Sequence, residues 1–439
     1  MKPKPGDRVK IFTKEESYEG TLLPRPEILE GDVVVLKLDT GYNIGIENNR
    51  IEKMELLEEF KPIEKEKLVL KNNPKLPTVS ILSAGGTISS RIDYKTGGVY
   101  ADYAAEDFVA MCPELQDIAN IKAKKVMSVM SEDMNYQDWL QIAKAVKEEL
   151  DSGVDGVVVT QGTDTLHFTS AALSFLLKNL SKPVILTASQ RSIDRGSSDA
   201  FMNLICAVKA AAKFDGATVA TCLHANMDDE YCYLNRGTKV RKMHTSRRDA
   251  FRPMGEKALA KVPVKGEIEV INNDYVKRVD EDGKSGDVGG GVEVDDKFEP
   301  QTALVLIHPG VDPEIIDFYL SKGYKGIVLA ATALGHIPTV NKRYSFMDVL
   351  ERAKEKGVPV VIASQTLYGG VHPYVYTNLR KLSIEKDCIF VGDMLPETAF
   401  VKLCWVLGHT KDKNEVKKLM QQNIAGEISN RVDAESFLY

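Results

Sequence analysis

The stretch Thr78-Val79-Ser80-Ile81-Leu82-Ser83-Ala84-Gly85-Gly86-Thr87 decides the fold of this 439-residue chain. Its first six residues read as a buried strand. Two glycines then make a turn tight enough for backbone to approach a ligand. The same grammar repeats downstream. Helical patterns around AEDFVAMCPEL and YQDWLQIAKAVKEELDSG are followed by the strand DGVVVTQG and the helix LHFTSAALSFLLKNL. The strand KPVILTAS, the helix SDAFMNLICAVKAAAKF and the strand ATVATCLH continue it. This alternation predicts a parallel sheet with helices on both faces, whose ligands bind beyond the carboxyl ends of the strands.

Working outward, residues 259–300 break the pattern. INNDYVKRVDEDGKSGDVGGGVEVDDKFEP carries 4 basic against 9 acidic residues and a glycine triplet, and reads as a solvated acidic insertion or crossover. From Thr302 the alternation resumes through TALVLIHPG, GIVLAATALG, PVVIASQT and CIFVGD, and helical stretches close the chain. On the other side, residues 1–58 read as short strands (DRVKIF, SYEGTLL, DVVVLKLD, NIGIE, RIEKMELL). Pro24, Pro26, Gly31, Gly41, Asn48 and Asn49 separate them, which suggests a small N-terminal β-barrel module. Residues 59–77 carry charges and prolines and read as a linker. The expected architecture is α/β: the β-module at 1–58, a catalytic α/β domain at 78–258, the crossover at 259–300, and a smaller α/β domain with a terminal helix at 301–439.

The net charge of −6, from 57 Lys+Arg against 63 Asp+Glu, argues against a free-standing nucleic-acid binder. No window has the ~18 uncharged apolar residues of a membrane span. The N-terminus lacks the apolar core of a signal peptide, so the expected location is cytoplasmic. Six scattered cysteines without a CxxC pair read as reduced thiols, and no metal ligand set is expected.

Four polar segments fall at predicted strand ends. In Ser83-Ala84-Gly85-Gly86-Thr87-Ile88 the Thr87 hydroxyl is a candidate nucleophile if something activates it; the competing reading is a helix N-cap. In Thr160-Gln161-Gly162-Thr163-Asp164-Thr165, Thr163 and Asp164 point at the same crevice, with capping again the alternative. In Val240-Arg241-Lys242-Met243-His244-Thr245, a desolvated Lys242 can act as a base, against the reading of a surface lysine in a basic stretch. Ser131-Glu132-Asp133-Met134-Asn135 joins a predicted strand VMSVM to the helix at Tyr136 and offers acceptors for an ammonium group, or a cap.

SAGGTIS, SEDMN, TQGTDTL and VRKMHT in this order, with GDMLPETAFVKL and NIAGE in the C-terminal half, resemble the L-asparaginase/glutaminase family over about residues 78–430. The resemblance implies two α/β domains and hydrolysis of a side-chain carboxamide by a threonine nucleophile. Carried over, Thr87 aligns with the nucleophile and Tyr94 with the tyrosine of the mobile loop, ahead of Tyr100. Thr163, Asp164 and Lys242 align with the group that polarises the threonine. Ser131 and Glu132 align with the pair that grips the substrate's α-carboxylate and α-ammonium, and Gly86 lines the same pocket. Two departures stand out: Ala84 replaces the first threonine of the family's T-G-G-T, and Gln161 replaces the histidine of H-G-T-D-T.

Stand-alone asparaginases begin at the strand equivalent to TVSILSAGG, whereas 77 residues precede it here. An asparaginase-like domain behind a β-module resembles the D-subunit family of archaeal glutamyl-tRNA(Gln) amidotransferases. That resemblance implies a homodimer that releases ammonia from glutamine or asparagine. It implies as partner the E-type subunit of that enzyme, in a two-plus-two complex. The partner holds Glu-tRNA(Gln) and carries the ATP and Mg2+, with no cofactor in this chain. A free-standing cytoplasmic L-asparaginase is the alternative. Glu397 or another C-terminal carboxylate is a candidate to complete the pocket of a neighbouring copy.

Overall fold

The computed structural model describes residues 3–23, 32–39, 43–59, 72–86, 91–92, 99–100, 108–109, 112–191, 197–279, 291–340, 342–432 and 434–438. The chain divides into two compact units, residues 1–70 with 89–102, and residues 71–88 with 103–439.

In the first unit β1 (Arg8–Phe12), β2 (Ser17–Leu23), β3 (Val33–Leu38), β4 (Asn43–Glu47) and β5 (Lys53–Glu58) form an antiparallel sheet in the order β4-β3-β2-β1-β5. Alternation puts Val9, Ile11, Leu36 and Ile46 into one small core, flanked by Tyr18, Leu22, Ile44 and Met54. The expected turn residues Pro24, Pro26, Gly31 and Gly41, and most of the linker, lie outside the described residues.

The second unit is built on β6 (Thr78–Ser83), β7 (Asn120–Lys125), β8 (Gly156–Thr160), β9 (Val184–Thr187) and β10 (Val219–His224). They run parallel in the order β7-β6-β8-β9-β10. Every residue of β8 is buried, as expected of a strand covered by helices on both faces. The order reverses between β6 and β8, and a doubly wound sheet opens its ligand crevice at such a point. The helices α1 (Tyr136–Asp151) and α2 (Leu166–Leu176) follow β7 and β8, and α3 (Ala200–Lys213) follows β9.

Two boundaries differ from the sequence reading. The apolar run VMSVM is not a strand: Val126 N and Met127 N both donate to Ser83 O, and Val129 N donates to Ala84 O, so it wraps over the end of β6. The segment 259–300 is not a solvated spacer at its start. After β11 (Tyr231–Arg236), the hairpin β12 (Val240–Lys242) and β13 (Phe251–Pro253) intervenes, and then β14 (Ala260–Pro263) pairs antiparallel with β11. Leu259 and Val262 are fully buried. Lys277 bridges Gly216, and Arg278 Nη2 meets Asp155 Oδ1 at 3.1 Å. A four-residue strand is too short for its alternation to stand out against the acidic sequence behind it. At the far end the buried Asp295 accepts from Trp405 Nε1 at 3.0 Å and lies 2.8 Å from His409 Nε2.

The second sheet, β15 (Thr302–Leu306), β16 (Gly326–Ala331), β17 (Val360–Ser364) and β18 (Ile389–Phe390), is parallel in chain order. Helix α4 (Pro396–His409) lies against it and also packs on α2, with Phe175 stacked on Trp405 at 6.0 Å between centroids. One continuous core runs from Leu82, Val157 and Leu173 through Leu403 and Trp405 to Val328 and Val361. The two α/β halves are therefore one packed body. Among the described residues no helix is long and apolar enough to cross a membrane.

A buried ion pair fastens the chain's end to α4. Lys402 Nζ donates to Glu427 Oε1 at 2.5 Å and to Met420 O at 3.2 Å, while Glu427 Oε2 accepts from Ala425 N at 2.6 Å. Burial pulls the Lys402 ammonium below its ordinary range. Glu427→Gln leaves that cation in apolar surroundings without a counter-charge, so a loss of about 3–5 kcal/mol is expected. A thermal midpoint unchanged from wild type would show that the pair is not holding this end.

Candidate active site

Three strand-end loops meet at the switch point in direct backbone contact. Gly86 has φ +84, and a Cβ there would sit 2.2 Å from Gly162 N. Gly85 has φ +110, and its Cβ would sit 2.5 Å from Val129 O. Both positions need glycine for conformation and for space. The β6 loop is tied to β8 by Ala84 N donating to Thr160 O at 2.8 Å. The turn Ser131–Asp133 is tied to the β8 loop twice: Asp164 N donates to Ser131 Oγ at 3.3 Å, and Thr165 Oγ1 donates to Ser131 O at 2.6 Å.

Asn135, not Ser131 or Glu132, caps α1: its Oδ1 accepts from Gln137 N at 2.9 Å, and Asp138 Oδ2 accepts from Asn135 N at 2.8 Å. Thr163 and Asp164 make no side-chain cap at the start of α2. They face Lys242 instead. The Lys242 ammonium donates to Thr163 Oγ1 at 2.8 Å and to Asp164 Oδ1 at 2.6 Å. Thr163 Oγ1 in turn donates to Asp164 Oδ1 at 3.4 Å. The lysine side chain is only 11% exposed while that of Asp164 is 62% exposed, so the charge is presented from inside the fold to the crevice. Lys242 is not a surface lysine. Its basic neighbours have other partners, Arg247 with Asp249 and Arg248 with Asp229.

Of the site residues expected from sequence, the structure brings together Gly86, Ser131, Thr163, Asp164 and Lys242. Glu132 is exposed on the turn beside Ser131. Thr87 and Tyr94 lie outside the described residues; the described chain reaches Gly86, the residue before Thr87. Gln161, one of the two departures, is fully buried.

The structure adds Arg241 and His167, which sequence reading passed over as site residues, and gives Glu397 a partner in its own chain. Arg241 Nη2 pairs with Glu397 Oε1 at 2.8 Å within the same chain. His167, on the first turn of α2, is buried, and its pKa is pushed down to about 4 by burial first and then by the Arg241 and Lys242 cations. The order of GDMLPETAFVKL after VRKMHT was the only hint that these segments meet. No cluster of three His, Cys, Asp or Glu that could hold a metal occurs among the described residues. All six cysteines are free and buried, and burial raises Cys112, Cys388 and Cys404 to about 12, which makes them inert thiols.

Residues 78–275 match the asparaginase N-terminal family, and residues 301–420 match the glutaminase/asparaginase C-terminal domain. Residues 3–57 match the GatD N-terminal domain. The D-type subunit of the glutamyl-tRNA(Gln) amidotransferase from Pyrococcus abyssi is 48% identical over 440 residues, covering 99% of this chain and 97% of that one. Its counterpart from Methanothermobacter thermautotrophicus is 44% identical over 434 residues, covering 98% and 95%. Among solved structures, the thermostable L-asparaginase from Thermococcus kodakarensis superposes with a TM-score of 0.70 at 32% identity, over 81% of this chain and 100% of that one. L-asparaginase I from Vibrio cholerae gives 0.68 at 27% identity, over 81% and 99%.

The depressed His167 sets a pH dependence. Between its ordinary 6.5 and about 4 the unfolded chain takes up a proton that the native site refuses. Stability therefore falls as pH drops through that window. His167→Gln is expected to flatten this part of the curve in urea titrations from pH 7 to pH 4, and an unchanged slope would contradict the assignment.

Proposed function

The chain belongs to the D-subunit family of the glutamyl-tRNA(Gln) amidotransferases, and from that premise we propose that it hydrolyses the side-chain amide of glutamine or asparagine through Thr87 and passes the ammonia to a partner protein. One observation supports this most directly: Lys242 Nζ lies 2.8 Å from Thr163 Oγ1 and 2.6 Å from Asp164 Oδ1, on loops in backbone contact with the glycines that precede Thr87.

Thr87 Oγ attacks the carboxamide carbon. Its proton passes by way of Thr163 Oγ1 to Lys242 as the lysine gives one to the departing nitrogen, which leaves as ammonia. The remaining acyl group is an ester on Thr87, and water attacks it by the same proton route in reverse. Backbone N–H groups of the abutting glycine loops stabilise the oxyanion. Ser131 and Glu132 grip the α-carboxylate and α-ammonium beside Gly86, and Tyr94 takes part in catalysis. Asp164 holds the lysine in place between turnovers.

In this reading the protein is a homodimer that works with the amidotransferase's E-type subunit in a two-plus-two complex. The partner binds most of Glu-tRNA(Gln), and with ATP and Mg2+ it activates the γ-carboxyl that captures the ammonia. The net charge of −6 supports leaving the tRNA contacts mainly to the partner. This chain holds no cofactor in the proposed reaction.

Thr87→Val is expected to abolish ammonia release while the circular dichroism spectrum is kept. A rate near wild type would place the nucleophile elsewhere. Thr163→Val, Asp164→Asn and Lys242→Met should each slow turnover by about a hundredfold or more, and their combinations should be far from additive. Glutaminase activity is expected to rise when the E-type partner and Glu-tRNA(Gln) are added. Full activity in the isolated chain, with no response to either, would favour a free-standing asparaginase.

A further inference from the structure

The strand that delivers Lys242 is poorly supported as a strand. β12 has three residues and pairs only with β13 in a two-stranded sheet, in which Arg241 faces Arg252 and Lys242 faces Phe251. No second ladder supports it among the described residues. It is held instead by contacts with the C-terminal half of the chain at Thr238, Lys239 and Arg241. Thr398 Oγ1 donates to Thr238 O at 2.9 Å, and Thr238 Oγ1 donates to Ala425 O at 3.0 Å. The buried Lys239 pairs with the buried Asp393. Arg241 pairs with Glu397. Thr238 and Lys239 fix where the strand begins. Only Arg241 acts beside the lysine itself.

Successive strand side chains point to opposite faces. With Arg241 drawn to one side, Lys242 is committed to the other, where Thr163 and Asp164 lie. The remaining charged neighbours do not offer Arg241 a competing anchor. His167 on α2 is held neutral, Arg252 across the hairpin is like-charged, and Asp249 already binds Arg247 and Arg252. Glu397 is itself well placed to hold firm. It sits on the first turn of the 14-residue α4, where the helix dipole favours a carboxylate, and its side chain is only 9% exposed. An ion pair whose carboxylate is buried in this way fixes geometry more than it adds stability.

We propose that Glu397 is a positioning residue of the active site: acting through Arg241, it sets the roll of the strand 240–242 so that the Lys242 ammonium meets Thr163 and Asp164. The carboxylate thus serves its own chain's site, not the pocket of a neighbouring copy. The proposal rests on the catalytic reading of Lys242 given above.

The test uses the full chain with its partner protein, steady-state glutaminase kinetics and thermal melting. Glu397→Gln keeps the size of the side chain and removes the charge that grips Arg241. It is expected to lower kcat by about tenfold with KM within about twofold of wild type, because a misplaced proton acceptor slows chemistry without loosening substrate. Arg241→Met should give a similar loss, and the double variant should be no worse than either single one, since the two act as a unit. Glu397→Asp, which keeps the charge, should recover part of the rate. An unchanged kcat in Glu397→Gln would overturn the proposal. So would a loss confined to KM, losses that multiply in the double variant, or a fall in thermal midpoint that accounts for the activity lost. Lys242→Met, run alongside, separates the two claims: if it stays fully active the catalytic reading fails, and if it is inactive while Glu397→Gln is normal only the positioning role fails.

Discussion

The arrangement depends on bringing one lysine amine to hydrogen-bonding distance of a threonine hydroxyl across two chain segments 79 residues apart in sequence. A lysine side chain has four rotatable carbons and loses much entropy when it is fixed. The fold meets this cost by restricting the backbone beneath it. Residues 238, 239 and 241 are each held by the C-terminal half, through a hydroxyl, a buried ammonium and a guanidinium. The C-terminal half thus fixes the backbone beneath Lys242.

The second constraint is steric. The loops after β6, β7 and β8 stand so close that a methyl group on Gly85, Gly86 or Gly162 would fall 2.2–2.7 Å from its neighbour. Contact at that range fixes the relative height of Ser131, Thr163 and the chain leading into Thr87. It occurs where the strand order reverses, the point at which a doubly wound sheet opens a crevice between its strand ends.

Local signals carried far in this sequence. Buried-strand runs, the glycine turn and the alternation with amphipathic helices gave the α/β class and located the polar strand-end loops, because burial and periodicity are written in neighbouring residues. They failed where the signal was short or mimicked another. VMSVM has strand composition but wraps over a strand end, and 260–263 is a true strand shadowed by the acidic residues after it. Lys242 looked like one cation in a basic stretch, and spacing could not tell it from Arg247 or Arg248.

What the sequence determined by itself is the kind of fold, the family resemblance and the set of polar residues available at the strand ends, since these depend on local pattern and motif order. Tertiary structure alone decided which of those residues act together. Asn135 caps α1 in place of Ser131, and Thr163 and Asp164 face Lys242 instead of capping α2. Glu397 was turned onto Arg241 of its own chain, and Lys242 was taken out of the solvent. The reason is that hydrogen bonds between residues 79 or 156 positions apart leave no trace in local periodicity. They exist only once α2, α4 and the two sheets have closed around a common core.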